Sequence, residues 1–250
     1  MNWFPKCKDG SKILILGASG GIGRAVLGML EHSKDTVVGL HYQNPNNLPD
    51  RKNYIPLQKT LADESDCRCV LDEFIEKSGG LDILLNLAGG IHFSGPWMEM
   101  PEEAFLKDIS LNLNMAFLTS RIAMQHMAAN NSWGRIILTG TESALHGGSE
   151  TSLPYAVAKR GVECLVQGLA REGAKDRILV NGIRLGYVKS GFHERWHGRT
   201  EAQMVERASL VPLKRGAHPD EAAALIVYLM SEWSEFITGQ MISLSGGDWL

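Results

Sequence analysis

Short apolar runs alternate with longer amphipathic stretches along almost the whole chain. Lys12-Ile13-Leu14-Ile15-Leu16 is apolar without alternation and ends in glycine, the pattern of a parallel strand buried on both faces. Gly21 to Glu31 follows with helical spacing, then Thr36 to Leu40 as a second strand and a Pro/Asn-rich loop from Asn44 to Asp50. The same pattern predicts a helix over 63–78, a strand over 81–87 and one long helix over 101–129 with Pro101 in its first turn. Strands over 135–139, 178–184 and 240–244 and helices over 155–174 and 220–230 complete the series. No element is read between Asp50 and Asp63. The alternation predicts an α/β fold, a Rossmann-like, doubly wound parallel sheet with helices on both faces and right-handed crossovers.

With no internal repeat or linker, residues 1–250 read as one domain. One stretch breaks the rhythm. Residues 186–216 are long and polar, hold Phe192, His193, Trp196 and His197, and follow a strand's carboxyl end, where such folds place substrate-covering lids.

Composition narrows the partners. At 44% hydrophobic and 21% charged residues, with a net charge of −3, the chain is ordinary for a soluble globular protein and lacks the basic excess of a nucleic-acid surface. The best apolar run, Ala222 to Met230, is too short to span a bilayer, and Met1 to Cys7 does not resemble a secretory signal. Cys67 and Cys69 lie two apart in a helical pattern and do not face each other, so reduced cysteines in the cytoplasm are expected.

Gly17-Ala18-Ser19-Gly20-Gly21-Ile22-Gly23 joins the first strand to the first helix. Glycines there permit a tight turn and close backbone approach, and the helix N-terminus offers free N–H groups to a pyrophosphate. Tyr155-Ala156-Val157-Ala158-Lys159 puts a phenol and an ammonium four residues apart on one helix face. A nearby positive charge favours phenolate, so such a tyrosine exchanges a proton with a carbonyl or alcohol oxygen while hydride moves at the adjacent carbon.

The spacing of Gly17, Gly21 and Gly23, taken with Tyr155 and Lys159, resembles the short-chain dehydrogenase/reductase family, in particular its 3-oxoacyl-carrier-protein reductase-like members. Further segments match in order: Asn86-Leu87-Ala88-Gly89, Asn112 in Leu111–Asn114, Val180–Val188, and Gly239–Gly247. The resemblance implies seven strands in the order 3-2-1-4-5-6-7 and a carbonyl–alcohol oxidoreductase using a nicotinamide cofactor. It makes Tyr155 the acid/base, Lys159 its partner and ribose ligand, and Asn112 the holder of a relay water, with Asn114 as fallback. The catalytic serine position falls on Thr141, preferred over Ser143. Gly17, Ser19, Gly20, Gly21, Ile22, Gly23, His41, Asn86, Ala88, Gly89, Val188 and Ser190 would bind the cofactor. His41 stands where NAD-preferring members carry an acid, which favours NADP(H) over NAD(H) with His41 and Ser19 beside the phosphate. Thr60 and Leu185 also depart from the family pattern. Family members are usually homo-oligomers, tetramers or dimers.

Two other classes compete. Departures at Thr141, Thr60 and Leu185 leave room for a cofactor-binding protein without catalysis. His193-Glu194-Arg195-Trp196-His197 matches H-E-x-x-H, in which two histidines of a helix bind zinc and the glutamate activates water. Its surroundings, a short segment between Gly191 and Gly198 inside a reductase pattern, argue against that use, and no metal is assigned.

Overall fold

A computed structural model describes residues 5–44, 48–130 and 133–248. Part of the loop expected over 44–50, residues 45–47, lies outside them, as do the first four residues. Seven strands form one parallel sheet: β1 (Lys12–Leu16), β2 (Val37–Tyr42), β3 (Tyr54–Gln58), β4 (Ile83–Asn86), β5 (Gly134–Thr141), β6 (Ile178–Leu185) and β7 (Met241–Leu244). Their order is β3-β2-β1-β4-β5-β6-β7. The helices are α1 (Gly21–Leu30), α2 (Glu64–Ser78), α3 (Glu102–Ile109), α4 (Met115–Ala129), α5 (Leu153–Gly173), α6 (Phe192–His197), α7 (Glu201–Leu210) and α8 (Pro219–Met230).

Strand periodicity divides the core in two. In β1, Ile13 and Ile15 face one way, into a cluster with Val26, Leu27, Ile226 and Leu229 from α1 and α8. Leu14 and Leu16 face the other way, into a cluster with Phe74, Ile122, Val162 and Val166 from α2, α4 and α5. The doubly wound arrangement follows from burying both faces of each central strand.

Two elements differ from the sequence pattern. β3, which the apolar pattern missed, is an edge strand with mixed burial, and Pro56 within it is tolerated because an edge strand has a free side. The helix expected over 101–129 is interrupted by a π turn at Ser110–Asn114. Asn112 donates its amide to the Asp108 carbonyl at 2.9 Å, a side-chain bond that competes with the helical ladder and opens the turn. Among the described residues, no helix is long and apolar enough to cross a membrane.

Candidate active site

The carboxyl ends of β1, β4, β5 and β6 open onto a cavity of about 800 Å³. One end is built by the glycine loop. Gly17 has φ +80°, and a Cβ there would lie 3.0 Å from the Ala88 nitrogen. A Cβ on Gly21 would stand 2.6 Å from the Ser190 carbonyl oxygen, and one on Gly23 only 2.5 Å from that of Ala18. Glycine is thus required by contact as well as by conformation. Gly20 is the N-cap of α1 and no side chain caps the helix, so its first N–H groups and the positive dipole end remain available at the cavity. Ser19, Gly20, Gly21, Ile22, Gly23, Ala88, Gly89, Val188 and Ser190 all line it. A backbone cradle at an uncapped helix end fits the pyrophosphate of a dinucleotide.

His41 serves differently from the sequence expectation. Its ring is buried; Nδ1 accepts from the Gly17 N–H at 3.3 Å and Nε2 donates to the Lys59 carbonyl at 2.9 Å. Burial pushes its pKa down, holding the neutral ring that this pair of bonds requires. Both nitrogens are engaged in tying the glycine loop to the end of β3, while the residue still lines the cavity at this end. Tyr42, Gln43, Asn44 and Lys59 line the same end beside it.

Asn86 and Asn112 also stand behind the lining. The Asn86 amide donates to the Thr119 hydroxyl and accepts from the Ala88 N–H, shaping the turn after β4. The Asn112 amide pairs with the N–H and carbonyl of Gly90 at 3.1 and 2.8 Å, besides Asp108. Both amide protons are committed, so support for a relay water cannot come from them.

At the other end, Tyr155, Lys159, Thr141 and Ser143 share the cavity wall. Tyr155 and Lys159 lie in the first two turns of α5, where Pro154 near the helix start suits the fixed φ of proline. The Lys159 ammonium lies 5.8 Å from the Tyr155 ring centre and donates to the Thr139 carbonyl at 3.0 Å. Burial pushes its pKa down to about 8. The Tyr155 phenol is pushed up, first by burial and then by the carboxylate of Asp108. Loss of water around the phenol thus sets the direction of the shift, opposite to the expectation from spacing. The Thr141 and Ser143 hydroxyls lie 3.1 Å apart, and Thr141 Oγ1 donates to the Leu185 carbonyl at 3.4 Å.

Residues 186–216 carry α6 and α7. Phe192 stacks obliquely on Tyr155 with ring centres 5.7 Å apart, and Trp196 lies so close to Gly90 that a Cβ there would meet its ring at 2.6 Å. His193, Arg195 and Trp196 line the cavity. The H-E-x-x-H segment is a six-residue helix, α6, and the side chain of His197 lies outside the described part. Among the described residues no group of three His, Cys, Asp or Glu side chains converges as a metal site requires.

A family model described as enoyl-(acyl carrier protein) reductase matches residues 17–248. The chain is a short-chain dehydrogenase/reductase. The 3-oxoacyl-[acyl-carrier-protein] reductase FabG of Rickettsia conorii is 31% identical over 95% of this chain and 96% of its own. Glucose 1-dehydrogenase 2 of Bacillus subtilis is 26% identical over 95% and 94%. A solved short-chain type dehydrogenase/reductase from Mycobacterium marinum superposes with a TM-score of 0.84 at 27% identity, over 96% of this chain and 95% of that one. This short-chain dehydrogenase/reductase is therefore an oxidoreductase of CH–OH groups, of the 3-oxoacyl-carrier-protein reductase type, and membership implies a nicotinamide cofactor. Asp108 was missed in the sequence. An acid four residues before the singled-out Asn112, amid Ile109 and Leu111, was the signal available.

Proposed function

We propose that this protein is a carbonyl reductase of 3-oxoacyl-type substrates that prefers NADP(H), with Tyr155 as the acid. The observation that carries the reading is the half-buried Tyr155 phenol beside Lys159 and Thr141, in a cavity whose far end is an uncapped helix N-terminus. When bound, the cofactor supplies hydride at the substrate carbon. Gly17, Ser19, Gly20, Gly21, Ile22 and Gly23 would hold its pyrophosphate, with Ala88, Gly89, Val188 and Ser190 along its length. Tyr155 donates its proton to the carbonyl oxygen, and Thr141, flanked by Ser143, orients that oxygen by turning its hydroxyl proton to it from the long 3.4 Å bond to the Leu185 carbonyl. Lys159 binds the ribose, and its ammonium favours the phenolate left after transfer. With the Asn112 amide spent, a relay water would rest on main-chain carbonyls of the π turn, where the helical ladder is open.

The substrate class is drawn from the FabG relatives and from the lid. Phe192 and Trp196 give an apolar cover over Tyr155, while Arg195 adds positive charge to the lining, which suits an acyl chain with an anionic carrier. NADP(H) is preferred because the end of β2 and the residue after it read His41-Tyr42-Gln43, with no acid to meet a ribose hydroxyl and repel a phosphate. A cytoplasmic homo-oligomer belongs to the same reading: Phe117 and Val157 stand exposed on α4 and α5, a pair of helices available for self-association.

The test is reduction of an acetoacetyl thioester and of a carbonyl panel with NADPH and with NADH. NADPH should give the higher kcat/KM, and Tyr155→Phe should lower it by about 10³-fold or more. Full activity in Tyr155→Phe would remove the mechanism.

A further inference from the structure

The loop after β4 and the lid touch at Gly90 and Trp196. A Cβ on Gly90 would stand 2.6 Å from Trp196 Cζ2, 2.7 Å from Cη2 and 3.0 Å from Cε2, so the far edge of the indole rests on the bare glycine. The two sides of this contact differ in rigidity. Gly90 is buried and held by both of its polar atoms, its N–H donating to Asn112 Oδ1 at 3.1 Å and its carbonyl accepting from Asn112 Nδ2 at 2.8 Å. Two residues on, the buried Asp108 carboxylate accepts from the His92 N–H at 2.8 Å. Trp196 belongs to α6, a six-residue helix set between Gly191 and Gly198, whose φ angles are +80° and +59°. A side chain at residue 90 would therefore displace the indole and leave the loop in place.

Trp196 also continues an apolar wall that begins at Tyr155. The Phe192 ring centre lies 5.7 Å from that of Tyr155 and 6.5 Å from that of Trp196. The wall reaches the β4 loop one residue beyond Gly89, where a Cβ would lie 3.4 Å from Lys159 Nζ. A substrate held at Tyr155 thus has the indole in the path of any chain directed toward that loop. Room is limited as well. The cavity of about 800 Å³ has to take a dinucleotide and a substrate together, whereas one drug-sized ligand alone occupies a pocket of about 300–1,000 Å³.

We propose that Trp196, seated on Gly90, limits acyl-chain length and confines this protein to short 3-oxoacyl substrates. The inference rests on the 3-oxoacyl reading and narrows it. In an open apolar pocket each added methylene strengthens binding, by about tenfold or more where the fit is good. Against a closed wall the same methylene has to dislodge an indole packed between Phe192 and Gly90. The sign of the chain-length dependence therefore reads the wall directly.

The experiment measures kcat/KM of the full chain on ethyl 3-oxobutanoate and ethyl 3-oxooctanoate, and on the matching coenzyme A thioesters, with whichever of NADPH and NADH is faster. The unaltered protein should prefer the short compounds by about 100-fold or more. Trp196→Ala should cut that preference to about tenfold or less by raising the value for the long ones. Trp196→Phe, with its shorter ring, should fall between the two and serves in place of Trp196→Ala if that variant does not fold. Gly90→Ala should change kcat/KM for the short ester by about tenfold or more, but by less than about twofold once Trp196 is alanine, because residue 90 acts through the indole. Long chains turned over as well as short ones, a preference unmoved in Trp196→Ala, or Gly90→Ala equally harmful in both backgrounds would overturn the proposal. Turnover without a chain-length preference sinks this inference alone, whereas no turnover of any 3-oxo compound sinks the 3-oxoacyl reading and this inference with it.

Discussion

Replacing Lys159 with methionine should abolish turnover and at the same time make the protein more stable at neutral pH. Lys159 is 5% exposed, and burial holds its pKa at about 8 against an ordinary 10.5. Between these two values the unfolded chain binds more protons at this residue than the folded one, so folding stability rises with pH through that window. Below about 8 the full cost of burying the charge is present, and above 10.5 it is gone. The difference corresponds to about 3.4 kcal/mol at 1.36 kcal/mol per pH unit. Methionine fills the aliphatic stem but loses the bond to the Thr139 carbonyl, which costs about 1 kcal/mol. A net gain of about 2 kcal/mol remains, raising Tm by roughly 4–8 °C for a chain of this size. The assay is thermal or urea unfolding of both proteins from pH 6 to 10, read as their difference. Ionisation of Tyr155 in the unfolded state lowers stability above pH ~10, but it is common to both proteins and cancels. A variant less stable at pH 7, or a stability gap that does not narrow toward pH 10, would refute the reasoning. On the proposed function, Lys159 would serve the chemistry at the expense of the fold.

Three further outcomes follow from the same geometry. Thr141→Val should lower reductive kcat/KM by about 100-fold and Ser143→Ala by about tenfold or less, and the reverse ranking would move the orienting role to Ser143. Gly21→Ala puts a Cβ 2.6 Å from the Ser190 carbonyl, so NADPH affinity by calorimetry should fall by about tenfold or more while the variant still folds. Arg207 on α7 pairs with Asp248 and lies 5.9 Å from the Tyr187 ring centre. Arg207→Ala should therefore speed amide exchange across residues 192–210 and leave exchange in β1 and β4 unchanged.

Strand and helix order, the glycine loop and the Tyr155–Lys159 pair were legible in the sequence because each is written locally. Buried parallel strands need unbroken apolar runs, a cradle at a helix N-terminus needs glycine, and residues four apart on a helix share a face. β3 escaped because an edge strand has little to bury and its mixed pattern, with Pro56 inside, carries no clear period. The break at Ser110–Asn114 escaped because it depends on where the Asn112 amide is drawn, and Gly90 is 22 residues away in the chain.

The electrostatics belonged to the tertiary structure alone. Spacing put a positive charge beside Tyr155 and predicted an acidified phenol, yet desolvation depends on everything packed around the ring, and the Asp108 charge acts on it from another helix. His41 shows the same division: its place at the end of β2 was readable, but both of its ring hydrogen bonds run to other segments, and only their geometry revealed it as a brace for the glycine loop. The sequence by itself determined which groups could do chemistry and in what order they lie along the fold. Which protonation state each holds, and which amides and imidazoles are already spent, was decided by burial and long-range hydrogen bonds, quantities that exist only once the chain has closed on itself.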